Sequence, residues 1–129
     1  MGVSYDEASG ADPNVTKLPD VVLNVDETRV IQEPFGLLRL YFEGPTDLLS
    51  SMTAGSLALD PGQIPHPPHQ HPEEEFLLIT EGTGEIQVGE EFKAVGPGSL
   101  MYCAGNTLHG ITNTGKTPML FYFYKWLAK

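Results

Sequence analysis

"HPPHQHPEEE", residues 66–75, holds three of the chain's four histidines and three consecutive glutamates. Side chains of an extended chain alternate between faces with period two. His69 and His71 are two positions apart, so an extended "HQH" aims both imidazoles the same way. The same parity brings Glu73 and Glu75 to that face and turns Glu74 to the other. Glu75 opens "EFLLIT", in which Leu77 and Ile79 share its face and would line one interior. Glu73 follows Pro72 directly, in a segment suited to a turn. Parity and context together select Glu75 as the carboxylate that joins the histidines.

The fourth histidine, His109, begins another strand-like run with Ile111 and Asn113 on its own face. If that strand lies across from the "HQH" segment, three imidazoles and one carboxylate converge. Such a set suits one divalent transition metal ion, drawn from Fe, Mn, Ni, Zn, Co and Cu. Four protein ligands on a six-coordinate ion leave room for water or a substrate oxygen.

Short apolar or alternating runs separated by turn residues fill the rest of the chain. Strands are expected at 21–25, 36–42, 52–59, 76–80, 85–88, 91–95, 99–103, 109–113 and 119–126. Turns are announced by "DPG", "EGTG", "VGEE", "GPG" and "NTGKTP". A short helical turn is expected around 45–51, and no window carries a sustained helical stripe. Many short strands with closely spaced turns indicate an all-β barrel or sandwich. With 129 residues there is chain for one domain. Residues 1–20, polar and aperiodic, are expected to be a flexible arm, and 21–129 the barrel.

The two histidine segments resemble the paired motifs of the cupins. The first cupin motif runs Gly, about five residues, His-x-His, three or four residues, Glu, six residues, Gly. Here stand Gly62, His69-Gln70-His71, Glu75 and Gly82. The second runs Gly, five residues, Pro-x-Gly, two residues, His, three residues, Asn. Here stand Gly98, Ala104-Gly105-Asn106, His109 and Asn113. The entry loop before His69 is one residue longer than the pattern. Ala104 replaces its proline and Asn106 its glycine, and asparagine tolerates a left-handed turn well. The likeness covers roughly residues 50–125, with all four ligand positions intact.

The resemblance implies a cupin-type jelly-roll β-barrel with His69, His71, Glu75 and His109 as its metal set. It implies a metal-dependent enzyme of dioxygenase-like chemistry on a small oxygen-rich molecule. Other cupins are sugar isomerases, epimerases or lyases, and some are non-catalytic binding or sensing modules. His66 and Glu73 are the candidate acid–base groups beside the set, His66 as a loop histidine able to carry a proton. Glu73 and Glu74 otherwise read as exposed loop acids, and Cys103 as a buried, inert thiol.

Partners follow from charge and from the C-terminal run. With 17 acidic against 7 basic residues the net charge is -10, which disfavours nucleic acid and anionic membrane surfaces. The expected partner is a small-molecule ligand or substrate. "MLFYFYKWLAK" (119–129) is aromatic on both faces, and one small interior cannot hold both. The surplus face, together with the dimers common among cupins, indicates a homodimer. No apolar run spans a membrane and the opening residues lack an export signal, so a cytoplasmic location is expected.

Overall fold

The structure, a computed structural model, describes residues 16–129. Most of the arm expected at 1–20 therefore lies outside the described residues. Of its end, Leu18 donates its amide to the Pro45 carbonyl at 3.0 Å, and Lys17 pairs with Asp47 at 2.8 Å.

Nine strands form among the described residues: β1 (Arg29–Glu33), β2 (Gly36–Gly44), β3 (Leu49–Leu59), β4 (Glu74–Glu81), β5 (Gly84–Val88), β6 (Glu91–Val95), β7 (Leu100–Cys103), β8 (His109–Thr112) and β9 (Met119–Ala128). They build two antiparallel sheets, ordered β1-β2-β3-β9-β4-β7 and β6-β5-β8. The two sheets face each other as a jelly roll.

Period-two alternation decides which residues fill the space between them. From the large sheet come Leu38, Leu57, Leu59, Leu77, Ile79, Met119, Phe121 and Phe123, all 2% exposed or less. Ile86 and Ile111 meet them from the small sheet, and Met101 and Cys103 from β7. Phe123 lies over Gly55, where a Cβ would come within 2.7 Å of the ring. Glycine there is what lets the ring reach the strand floor.

Two expectations fail. "VVLNV" (21–25) forms no strand, and Val21, Val22 and Val25 are 50%, 84% and 55% exposed. β-Branched composition favours a pleated surface only where a partner strand exists, and this run has none. Asn24 instead opens a short 3-10 turn, its amide held by the Glu27 carboxylate at 2.9 Å. The strand that pairs with the outer edge of β2 is "RVIQE", whose polar ends hid it. At 45–51 there is no helical turn. Thr46 Oγ1 accepts the amides of Leu48 and Leu49 at 3.3 and 3.0 Å, and this side-chain turn leads straight into β3.

Candidate metal centre

His69 and His109 face each other through a two-hydrogen-bond bridge, with both amide-to-carbonyl distances at 2.9 Å. The two histidine segments are thus joined main chain to main chain. The "HQH" segment itself is not a regular strand, since β4 begins only at Glu74. A turn at Pro72–Glu73 separates the histidines from the strand that carries Glu75. The opposite wall of this turn is the loop before β8. A Cβ at Gly105 would collide with the Pro72 carbonyl. Asn106 takes the left-handed conformation, φ 61°, and donates its amide to the His71 carbonyl at 2.6 Å. The substitution of asparagine for glycine is therefore accommodated in the conformation asparagine tolerates.

The imidazole nitrogens of His69, His71 and His109 lie within 4.8 Å of one another, in an arrangement that could hold a metal ion. Glu75, fully buried, sits among them. Its Oε1 is 3.0 Å from His71 Nε2 and 3.1 Å from His109 Nε2. The far side of each ring is fixed too. His71 Nδ1 donates to the Glu73 carbonyl at 3.1 Å, and His109 Nδ1 to the Thr107 carbonyl at 2.8 Å. A carbonyl only accepts, so both Nδ1 atoms carry the proton and both Nε2 atoms are presented inward, as metal-binding histidines are held. Glu75 and His109 are buried, whereas His69 and His71 are partly exposed. The cluster therefore has one face toward solvent.

Burial alone would raise the Glu75 carboxyl, but hydrogen bonds from His109 and His71 and the charge of Lys125 outweigh it and hold its pKa at about 2. Burial likewise pulls His109 down, and the Glu75 and Thr107 hydrogen bonds more than reverse it, so this imidazole holds its proton above the usual range. Burial, reinforced by the Glu75 charge, pushes the Cys103 thiol up against an opposing Thr107 hydrogen bond. It remains a thiol, donating weakly to the Ala104 and Thr107 carbonyls at 3.6 Å. The expected inert cysteine fits this.

Glu73 is not the exposed loop acid expected from sequence: it is 6% exposed. The turn at Pro72 folds it inward behind His71, with Oε1 3.5 Å from Nδ1 and without a hydrogen-bond partner among the described residues. Glu74 points outward as parity requires, yet it is engaged. It accepts from Tyr102 Oη at 2.7 Å and Trp126 Nε1 at 3.1 Å. His66 stacks on His69, with ring centroids 3.7 Å apart. On its other side it borders a small hollow of about 40 Å³ with Pro68, Gln87 and Thr112.

Lys125, 1% exposed, is the member that sequence reasoning passed over. In β9 it follows Phe121 and Phe123 on the inward parity, and its register partners are Glu75 in β4 and Thr53 in β3. A lysine on the inward face of an otherwise apolar strand was the available signal. A cleft of about 390 Å³ between β5–β6 and β7 is lined in part by Ile86, Val88, Val95 and Met101. Val88 is the register partner of His109, but His69, His71, Glu75 and His109 themselves do not line this cleft.

The model of the cupin domain family matches residues 55–124, more than half of the chain. The chain is a cupin. Solved structures agree at the level of the fold. An RmlC-like cupin from Shewanella frigidimarina superposes with a TM-score of 0.70 at 14% identity, covering 89% of this chain and 96% of that one. KdgF from Halomonas sp. gives 0.66 at 17% identity, covering 84% and 94%. AerE from Microcystis aeruginosa gives 0.67 at 20% identity, covering 88% of this cupin but 51% of its own chain. No curated protein matches in sequence. No helix among the described residues is long and apolar enough to cross a membrane.

Proposed function

We propose that this cupin is a metal-dependent enzyme of dioxygenase-like chemistry, acting on a small oxygen-rich molecule with His69, His71, Glu75 and His109 as its metal ligands. The observation that carries the reading is the spacing and orientation of the donor atoms. Two ligand atoms at right angles on bonds of about 2.1 Å lie about 3.0 Å apart, and Glu75 Oε1 stands 3.0 and 3.1 Å from two inward-facing Nε2 atoms. A sealed structural site would bury every ligand, whereas the partial exposure of His69 and His71 leaves a side for a substrate. When bound, a first-row divalent ion polarises substrate oxygens and offers open positions for a second reactant. The chain's own residues do the positioning. Glu73 and Thr107 fix the rings of His71 and His109, and His66 supports the face of His69.

Elemental analysis tests this directly. Wild-type protein is expected to carry about one transition metal per chain and His109→Ala little or none. Iron accompanied by dioxygen uptake in a screen of small hydroxy and keto compounds supports the oxygenase reading. Wild type without metal after reconstitution would remove the ligand assignment altogether.

The same geometry sets opposite pH responses. In metal-free protein, His109 has a raised pKa, so its contribution is full below the ordinary imidazole range and fades as pH rises through its folded value. Glu75, depressed to about 2, contributes above its ordinary value of 4.5, and that contribution is lost as pH falls toward 2. Metal competes with the imidazole protons, so its affinity grows with pH. The metal-induced rise in Tm is expected to widen from pH 6 to pH 8; a constant or shrinking rise speaks against imidazole ligation.

We also propose that the protein self-associates through the outer face of the large sheet. Tyr41, Phe42, Met52, Tyr122 and Tyr124 line an almost wholly apolar groove there. Sedimentation equilibrium is expected to give twice the chain mass, and Tyr124→Glu to shift it toward the monomer. A monomeric wild type at high concentration would end this reading.

A further inference from the structure

We propose that the outer face of the large sheet carries a second binding site, formed by Phe76, Tyr102 and Trp126 around Glu74, that takes a quaternary ammonium cation. It lies on the opposite face of β4 from the buried Glu75, so it stands apart from the metal cluster and does not depend on the ligand assignment.

Strand parity assembles the site. In β4, Glu75 and Leu77 are buried while Glu74 and Phe76 turn outward. Tyr102, the register partner of Phe76, points out between the buried Met101 and Cys103. Trp126, the register partner of Glu74, points out after the buried Lys125. Phe76 thus has a ring on each side, with centroids 5.6 Å away in Tyr102 and 5.4 Å away in Trp126. Phe76 and Tyr102 are 39% and 51% exposed, so much of the cluster is open to solvent. Tyr102 Oη donates to one carboxylate oxygen of Glu74 at 2.7 Å, and Trp126 Nε1 to the other at 3.1 Å.

These two hydrogen bonds decide the ligand class. Both polar handles of the rings are spent on Glu74, so a sugar or other hydroxyl-rich molecule would find few donors there. What is left is a carboxylate among three aromatic rings, whose faces are themselves negative. A ring that donates a hydrogen bond to an anion is polarised further in the same sense. All of this favours a cation. An ion with N–H groups would give up its hydration without a full set of acceptors in return. A quaternary ammonium group has no N–H to satisfy and is held by aromatic faces. The chain's net charge of -10 draws cations to the surface as a whole. The groove proposed for self-association starts at the next strand, where Tyr124 is the other register partner of Phe76, and no carboxylate lines it.

Trp126 is the chain's single tryptophan, so its emission reports on the site without a label. The full chain is titrated with tetramethylammonium chloride, with sodium chloride holding the ionic strength constant. Two further probes divide its properties: tert-butanol has similar bulk and no charge, and ammonium has the charge without the methyl groups. Tetramethylammonium is expected to change the emission saturably in the millimolar range, and the other two to have little effect. Glu74→Gln removes the charge, and Phe76→Leu removes a ring while keeping an apolar side chain. Each is expected to weaken binding about fivefold or more. Unchanged affinity in both variants would overturn the proposal, as would the absence of a saturable change. An equal response to tert-butanol would reduce the site to an apolar patch, and an equal response to ammonium to a surface charge; either overturns it. Emission that shifts with protein concentration and no longer answers to tetramethylammonium would mean that a second copy covers the rings, which also overturns it. Should either variant fail to fold, the three probes on wild type still decide.

Discussion

Glu75→Gln is expected to lower metal affinity by about 100-fold or more, about 2.7 kcal/mol, while the barrel still folds. Glutamine keeps the shape of the side chain, and its amide can still hydrogen-bond to one of the two Nε2 atoms that face Oε1. It loses the charge that holds an ion. It also leaves Lys125, 1% exposed and next in register, without its anionic neighbour. Competition against a chelator of known affinity measures the first effect, and Tm of the metal-free proteins the second. Unchanged metal affinity would show that the carboxylate is not a ligand and that the three histidines suffice.

Phe123→Ala is expected to destabilise the metal-free protein by about 3–5 kcal/mol, the range for deleting a large buried ring. The ring is fully buried and packs over Gly55, which has no side chain to fill the hole. Small domains are stable by about 5–15 kcal/mol, so the loss takes a large share of the total. Phe123 is also the register partner of Leu77, two residues from Glu75 in β4. Metal affinity should therefore weaken in this variant although no ligand is touched. Urea unfolding with and without metal checks both effects. A loss below about 1 kcal/mol would mean that the cavity collapses, which the close approach of the ring to the strand floor argues against.

The fold class and the meeting of His69, His71 and His109 were both legible in the sequence, for a physical reason. Ligand spacing within a motif is short-range information, so His69, His71 and Glu75 could be placed by counting. The parity that excluded Glu74 held, although the segment carrying the two histidines is not a strand. β6 was read at the residues where it occurs and β5 one residue short, because tight turns bracket both. The run at 21–25 failed because a strand is defined by its partner, and no local pattern reports the partner. Glu73 was misplaced because the Pro72 turn reverses what an exposed loop would do with it. Lys125 was visible by parity but hidden among aromatics whose surplus drew attention to the outer face. Cys103, read as buried from sequence, is 1% exposed, and its neighbour Tyr102 faces out. Cys103 is the register partner of the buried Glu75, which gives the thiol its inward side.

The position of β9 bears on how the molecule is made. In the large sheet it lies between β3 and β4, so everything on one side of it is synthesised before the strand that joins the halves. Until β9 emerges, β3 and β4 each present an unpaired edge, a template for pairing with another chain. Contacts between segments so distant along the chain form slowly. The partly made molecule is therefore the form most exposed to aggregation, and Lys125 reaches Glu75 only when that last pairing closes. A metal ion supplied during synthesis would find its complete electrostatic surroundings at the end of folding, making metal uptake a marker of a finished barrel.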